Sequence, residues 1–226
     1  MRIDVYNALE KRTGRTVEDA GALKPGEFCL RYVLAPVRGD GALLWKKAAG
    51  GLSFEQGFAP AGKSSLAAAL DAARACQNGP VDIAALRLVS HRVDRQDGLI
   101  QDFYLALLMQ GGEAAEGMAW FFPEEILGDP SLSAWLCRDA FYAENRDMLT
   151  RLSAEMRVPQ GLYRGVQGET EEVLGVAVHT VTGVPLVICR REGAERDLRA
   201  VPLTRWLQPV RTAQGPRPRY APEGRE

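Results

Sequence analysis

Gly57-Phe-Ala-Pro-Ala-Gly62-Lys63-Ser64-Ser65, followed at once by Leu66-Ala-Ala-Ala-Leu-Asp71-Ala72-Ala-Arg-Ala75-Cys76, decides how this chain is read. Two glycines bracket a short loop, a serine pair follows, and an alanine-rich run takes over at helical spacing. Ser64 suits an N-cap, because its hydroxyl can accept a free amide of the first turn. Asn78-Gly79-Pro80 is a stop, since glycine tolerates a left-handed cap and proline cannot continue a helix. A helix from Ser64 to Gln77 is therefore expected. Residues 72, 75 and 76 stand at i, i+3 and i+4 on it and share one face.

Two motifs compete for the loop. Gly57-x4-Gly62-Lys63-Ser64 satisfies the phosphate-cradling P-loop pattern. That pattern needs a buried apolar strand before it, and Gly51-Leu-Ser-Phe-Glu55-Gln56 is too polar for a central parallel strand. By spacing, the stretch resembles the Nudix box: a glycine, five residues, a glutamate, seven residues, then Arg-Glu-x-x-Glu-Glu. The frame is present and the side chains are not. The first glutamate is Lys63, the Arg-Glu is Asp71-Ala72, and the paired glutamates are Ala75 and Cys76. Three carboxylates on that face would cradle Mg2+ and bridge it to substrate phosphates; two alanines and a thiol offer no hard oxygen.

The resemblance extends past the box. Gln101-Asp-Phe-Tyr-Leu-Ala-Leu is similar to the family's central strand, and Ala119-Trp-Phe-Phe-Pro-Glu-Glu-Ile to its tryptophan-bearing segment. It implies an α/β fold over residues 27–156, a Nudix-like α/β/α sandwich with a mixed sheet. Phe28–Val37, Ala42–Lys46, Ile83–His91, Leu99–Met109 and Met118–Phe122 read as its strands, and a later helix runs through Trp135, Phe141, Met148 and Leu152. Residues 1–26 read as an extension with a short helix from Val5 to Lys11.

Beyond Arg157-Val-Pro-Gln-Gly161 the periodicity becomes β-like. Gly161, Tyr163-Arg164, Gly168, Val173-Leu174-Gly175, Ala177, His179-Thr180, Thr182, Leu186-Val187, Arg190, Pro202-Leu203 and Trp206-Leu207 resemble a small bacterial domain family of unknown function. That resemblance implies a small C-terminal all-β barrel of the Src-homology type over residues 159–212. Three polar positions of that family are Gly165, Val181 and Val201 here. Residues 213–226, rich in Gly, Pro and Arg, read as a disordered tail.

With 226 residues, a formal net charge of −1 and 25% charged residues, composition gives no basic excess, so nucleic acid is not an expected partner. The first residues lack a secretory apolar core and no run reaches spanning length, which points to the cytoplasm and away from a membrane. Cys29, Cys76, Cys137 and Cys189 are scattered and read as reduced hydrophobes. Two histidines, His91 and His179, exclude a multi-histidine metal centre. His179 reads as a barrel-strand residue. Arg87, Arg92 and Arg95 form at most a diluted basic edge. Trp45, Trp120, Trp135 and Trp206 read as core anchors.

These residues imply a Nudix-like protein without its metal-binding glutamates, serving as a binding or regulatory module. Its ligand would be nucleotide-like or anionic, held by Gly57, Gly62, Lys63, Ser64 and Ser65 without metal; its barrel could hold a protein partner. The alternative is a divergent hydrolase of nucleoside-diphosphate-linked substrates, with Glu55, Asp71, Glu124 and Glu125 as its carboxylates and Mg2+ as its cofactor. Otherwise no cofactor is implied.

Overall fold

A computed structural model describes residues 1–48, 51–109, 112–130, 132, 140–193 and 197–223. Trp135 and Cys137 lie outside the described residues. The larger part is a mixed sheet of nine strands: β1 (Ile3–Tyr6), β2 (Arg12–Val17), β3 (Phe28–Arg38), β4 (Leu43–Ala48), β5 (Gly51–Ser53), β6 (Glu55–Phe58), β7 (Ile83–Asp94), β8 (Leu99–Leu108) and β9 (Met118–Phe121). Its spine is the parallel pair β3/β8, in register from Cys29↔Leu99 to Arg38↔Leu108. The remaining pairs are antiparallel.

Apolar residues alternate between two faces along these strands, and each face has its own helical cover. Leu34, Leu44, Tyr104, Ala106 and Leu108 pack against Ala69 and Ala73 of helix α1 (Ser65–Ala75) and against its C-cap residue Cys76. Val33, Val37, Leu43, Trp45, Phe103 and Leu105 pack against Ile126 of α2 (Pro123–Gly128) and Tyr142 and Leu149 of α3 (Ala140–Arg157). Period-two burial on a sheet covered on both sides explains why β3 and β8 read as nearly unbroken apolar runs. Burial of each large side chain contributes about 1.5–3 kcal/mol. Trp45 anchors the second face, stacked on Phe54 at 4.6 Å and edge-on to Tyr142 at 5.4 Å.

The first residues are sheet, not a leading helix. Ile3 and Val5 are buried, and β1 pairs with both β2 and β3, so β1 and β2 are strands of the large sheet. Val5, Ala8 and Leu9 do stand at i, i+3 and i+4, but Asn7 closes a turn within that stretch, while Ile3 and Val5 alternate as a strand requires. Asn7 turns the chain: its Oδ1 accepts the amides of Leu9 and Lys11, and Glu10 takes a φ of 58°. The Asn side chain substitutes for a backbone acceptor in such turns.

The second sheet is antiparallel, in the order β13-β12-β11-β10-β16: β10 (Gly161–Gly165), β11 (Thr170–Val178), β12 (Pro185–Arg191), β13 (Leu198–Pro202) and β16 (Tyr220–Pro222). A short helix α4 (Leu203–Leu207) and a hairpin of β14 (Pro209–Thr212) and β15 (Gly215–Pro218) precede β16. Ala154 and Val158, at the end of α3, join its core with Tyr163, Val173, Val187, Leu203 and Trp206. The end of the chain is therefore ordered as strand through Pro222, contrary to the disordered tail expected from composition. Tyr220 stacks on Trp206 at 4.1 Å, and β16 pairs with β10, where prolines at a sheet edge remove no needed ladder bond. Among the described residues no helix is long and apolar enough to cross a membrane.

Candidate functional site

The loop before α1 folds as its chemistry suggests, but its polar groups are already engaged within the chain. Ser64 caps the helix by accepting the amide of Ala67 at 3.2 Å. Gly62, with a φ of 85°, donates its amide to the Asp4 carboxylate at 2.8 Å. Asp4 in turn pairs with Arg12 at 3.2 Å, and Arg12 also donates to the Lys63 carbonyl. The Lys63 ammonium pairs with Asp71 at 2.6 Å, and that contact pulls the Asp71 carboxyl below its usual range. A carboxylate from β1 thus sits where an external anion would meet the loop. Gly57 is required for packing: a Cβ there would fall 2.8 Å from the Tyr32 hydroxyl.

On the helix face where the three carboxylates of a metal cradle would stand, Ala72 packs into the core, Ala75 is exposed and Cys76 is 1% exposed. Burial pushes the Cys76 thiol up to about 12, with the nearby Glu55 adding to the rise. Tyr32 lies in the same neighbourhood, its phenol likewise pushed up to about 12 by burial and then by Glu55, Cys76 and Asp71. Glu55 is held by Lys46 at 3.0 Å. A protonated thiol and a phenol are poor ligands for Mg2+, which selects hard oxygens. The residues present do not fit the ion, and among the described residues no group of three His, Cys, Asp or Glu side chains is placed to hold a metal.

Glu124 and Glu125 belong to the opposite layer. Glu124 is paired with Arg157 of α3, whose guanidinium lies 4.1 Å from the centre of the Phe122 ring. Glu125 accepts the Phe122 amide at 2.7 Å and closes the start of α2. The four candidate carboxylates are therefore not brought together: Glu55 and Asp71 lie on the α1 side, each with a cationic partner, and the other two serve α2 and α3.

A different cluster, unread in the sequence, forms beside the box helix. Ser65 donates to Asp102, and its Oγ is 2.9 Å from the Tyr104 hydroxyl. The other oxygen of Asp102 lies 2.6 Å from His91 Nδ1, and His91 Nε2 lies 2.8 Å from Glu10. Register explains the meeting: His91 and Asp102 are directly opposed on β7 and β8. An ionised carboxylate can only accept, so this geometry is fully satisfied when both ring nitrogens donate, as in an imidazolium. Its pKa is raised, first by the hydrogen bond to Asp102 and then by the charges of Asp102 and Glu10, against a smaller opposing effect of burial. Ser65 is bonded to the carboxylate rather than to the imidazole, so the trio lacks the Ser–His contact that activates a nucleophile. It ties together α1, the central strands and the β1–β2 turn.

His179 lies just past β11, in a turn, where Nδ1 accepts the Thr182 amide at 3.2 Å. Arg92 is engaged by Glu144 at 2.5 Å.

No family model matches the chain, and no curated protein matches it. Among solved structures, a protein from Bordetella bronchiseptica that belongs to a domain family of unknown function is similar at 30% identity. That alignment covers 30% of this chain and 88% of the other, with a TM-score of 0.27. A hydrolase of ADP compounds aligns at 16% identity over 70% of this chain and 87% of its own, with a TM-score of 0.38. A Nudix hydrolase from Nitrosomonas europaea aligns at 15% identity over 52% of this chain and 90% of its own, with a TM-score of 0.34.

Proposed function

We propose that this chain is a Nudix-like protein, extended by a small barrel-type β domain, in which the metal cradle has been replaced by packing and the remaining role is binding rather than hydrolysis. The observation that carries this reading is the α1 face itself: Ala72, Ala75 and a buried, protonated Cys76 occupy the three positions that a divalent cation needs as carboxylates. The Lys63–Asp71 pair and the Asp4 carboxylate at Gly62 support it further, because they satisfy the loop from within. Any nucleotide-like or anionic ligand at Gly57, Gly62, Lys63, Ser64 and Ser65 would have to displace Asp4. A protein partner at the C-terminal domain is the other form of the same binding role.

The test is turnover of nucleoside-diphosphate-linked substrates, ADP-ribose and dinucleotides among them, by purified protein in Mg2+, Mn2+ or EDTA. No metal-dependent product is expected. Product that requires metal and disappears in Glu55→Gln would establish the divergent hydrolase instead.

A further inference from the structure

The second sheet carries a polar cavity of about 390 Å3 whose wall includes Arg191, Arg199, Arg219, Gln167 and Tyr220. We infer that this cavity is a binding site for a small oxyanion, a phosphate or carboxylate group of a small molecule, with Arg219 and Arg191 as its primary ligands. The inference stands apart from the fate of the box helix, since it uses none of those residues.

Arg199 is the fixed member of the wall. Its guanidinium grips both oxygens of Glu171, a carboxylate that is 1% exposed, and its Nε lies 3.5 Å from Asp197. A guanidinium already matched to a buried carboxylate is a rigid wall rather than a free hand. Arg219 and Arg191 differ from it. Among the described residues neither pairs with a carboxylate, whereas Arg164, Arg190 and Arg199 of the same sheet all do. The Arg219 Nε, like the Arg199 Nε, is buried and has no hydrogen-bond partner among the described residues. A buried N–H left unmatched is costly, and one on a charged group more so, which favours an acceptor oxygen in the cavity beside it. Planar guanidinium forks match the geometry of carboxylate and phosphate oxygens.

The wall also includes Glu169, whose Oε2 accepts the Gln167 amide at 3.1 Å. Set against three arginines, Glu171 and Glu169 leave the lining one positive charge in excess. Glu171 is used up by Arg199, so Glu169 is the group that opposes an incoming anion. This gives the site a signature of two opposite signs. Arg219→Gln should weaken binding about tenfold or more, the scale of one charge-assisted hydrogen bond, and Glu169→Gln should strengthen it.

The full chain, labelled with 15N, would be titrated with inorganic phosphate, with acetate and with ribose 5-phosphate, at ionic strength held constant with chloride. The arginine Nε–H signals would be followed. The site predicts a saturable shift of the Arg219 Nε–H signal, weakening in Arg191→Gln and tightening in Glu169→Gln; in Arg219→Gln, which lacks that group, the weakened binding is read from the Arg191 Nε–H signal. Saturation by phosphate and ribose 5-phosphate but not acetate would identify a phosphate site, and the reverse a carboxylate site. No saturable shift with any of the three, or affinities unchanged by all three substitutions, would overturn the inference. Arg191 is exposed, so its variant keeps the experiment decisive if Arg219→Gln fails to fold.

Discussion

Replacing Asp102 by Asn should destabilise the protein in a pH-dependent way, and the sign follows from the His91 contacts. Asp102 is buried and accepts from Ser65 on one oxygen and from His91 on the other. An amide of the same shape keeps one acceptor but turns its NH2 toward a donor and removes the charge that holds the imidazolium. A hydrogen bond to a charged group contributes about 1.5–3 kcal/mol. The His91 side chain is 42% exposed, so screening reduces that to about 1–2 kcal/mol. For a chain of this size, that lowers Tm by about 2–8 °C. His91 has a folded pKa above its unfolded value, so its contribution is complete below about pH 6.5 and is lost as pH rises through the folded pKa. The gap in Tm between wild type and Asp102→Asn should therefore be widest near pH 6 and narrow as pH rises through the folded pKa of His91. Thermal unfolding followed by circular dichroism across that range measures it. A gap that is absent near pH 6, or constant throughout, would refute the imidazolium between Asp102 and Glu10.

Three further outcomes follow from particular contacts. Gly57→Ala should cost about 1–3 kcal/mol by driving a methyl group onto Tyr32, and Tyr32→Phe should recover part of it in urea unfolding, because the nearest atom is the hydroxyl. Cys76 and Cys29, with thiols pushed up to about 12 and 11 by burial, should resist iodoacetamide in the native protein and react on unfolding, as peptide mapping would show. Tyr220→Ala should lose its stack on Trp206 and destabilise the C-terminal sheet by about 1–3 kcal/mol, detectable as faster amide exchange in β10 and β16.

How much could be read beforehand depended on whether the signal was local. β3, β8 and α1 were legible because two-sided burial gives continuous apolar runs, and because Ser64 and Asn78-Gly79 mark the helix within a few residues of each end. The hairpin of β1 and β2 was not, since its burial arises from pairing with β3 far along the chain. The last strand was hidden by composition: prolines and glycines read as disorder, and only the meeting of Tyr220 with Trp206 reveals a sheet edge. At the site, the absence of carboxylates at residues 72, 75 and 76 was visible in the letters alone. That Asp4 would fill the loop at Gly62 was not, nor that Ser65, Asp102, His91 and Glu10 would join. Those contacts depend on strand register and on an asparagine-closed turn, for which the separate residues carry no spacing signal.

The proposed function rests on α1 presenting no divalent-cation site, and a titration of the purified protein with Mn2+, read by the electron paramagnetic resonance of the free ion, tests it most directly. The account predicts that free Mn2+ rises in step with each addition, unchanged in Glu55→Gln and Asp71→Asn. Uptake of one equivalent that either substitution removes would contradict it and favour the alternative of a divergent metal-dependent hydrolase.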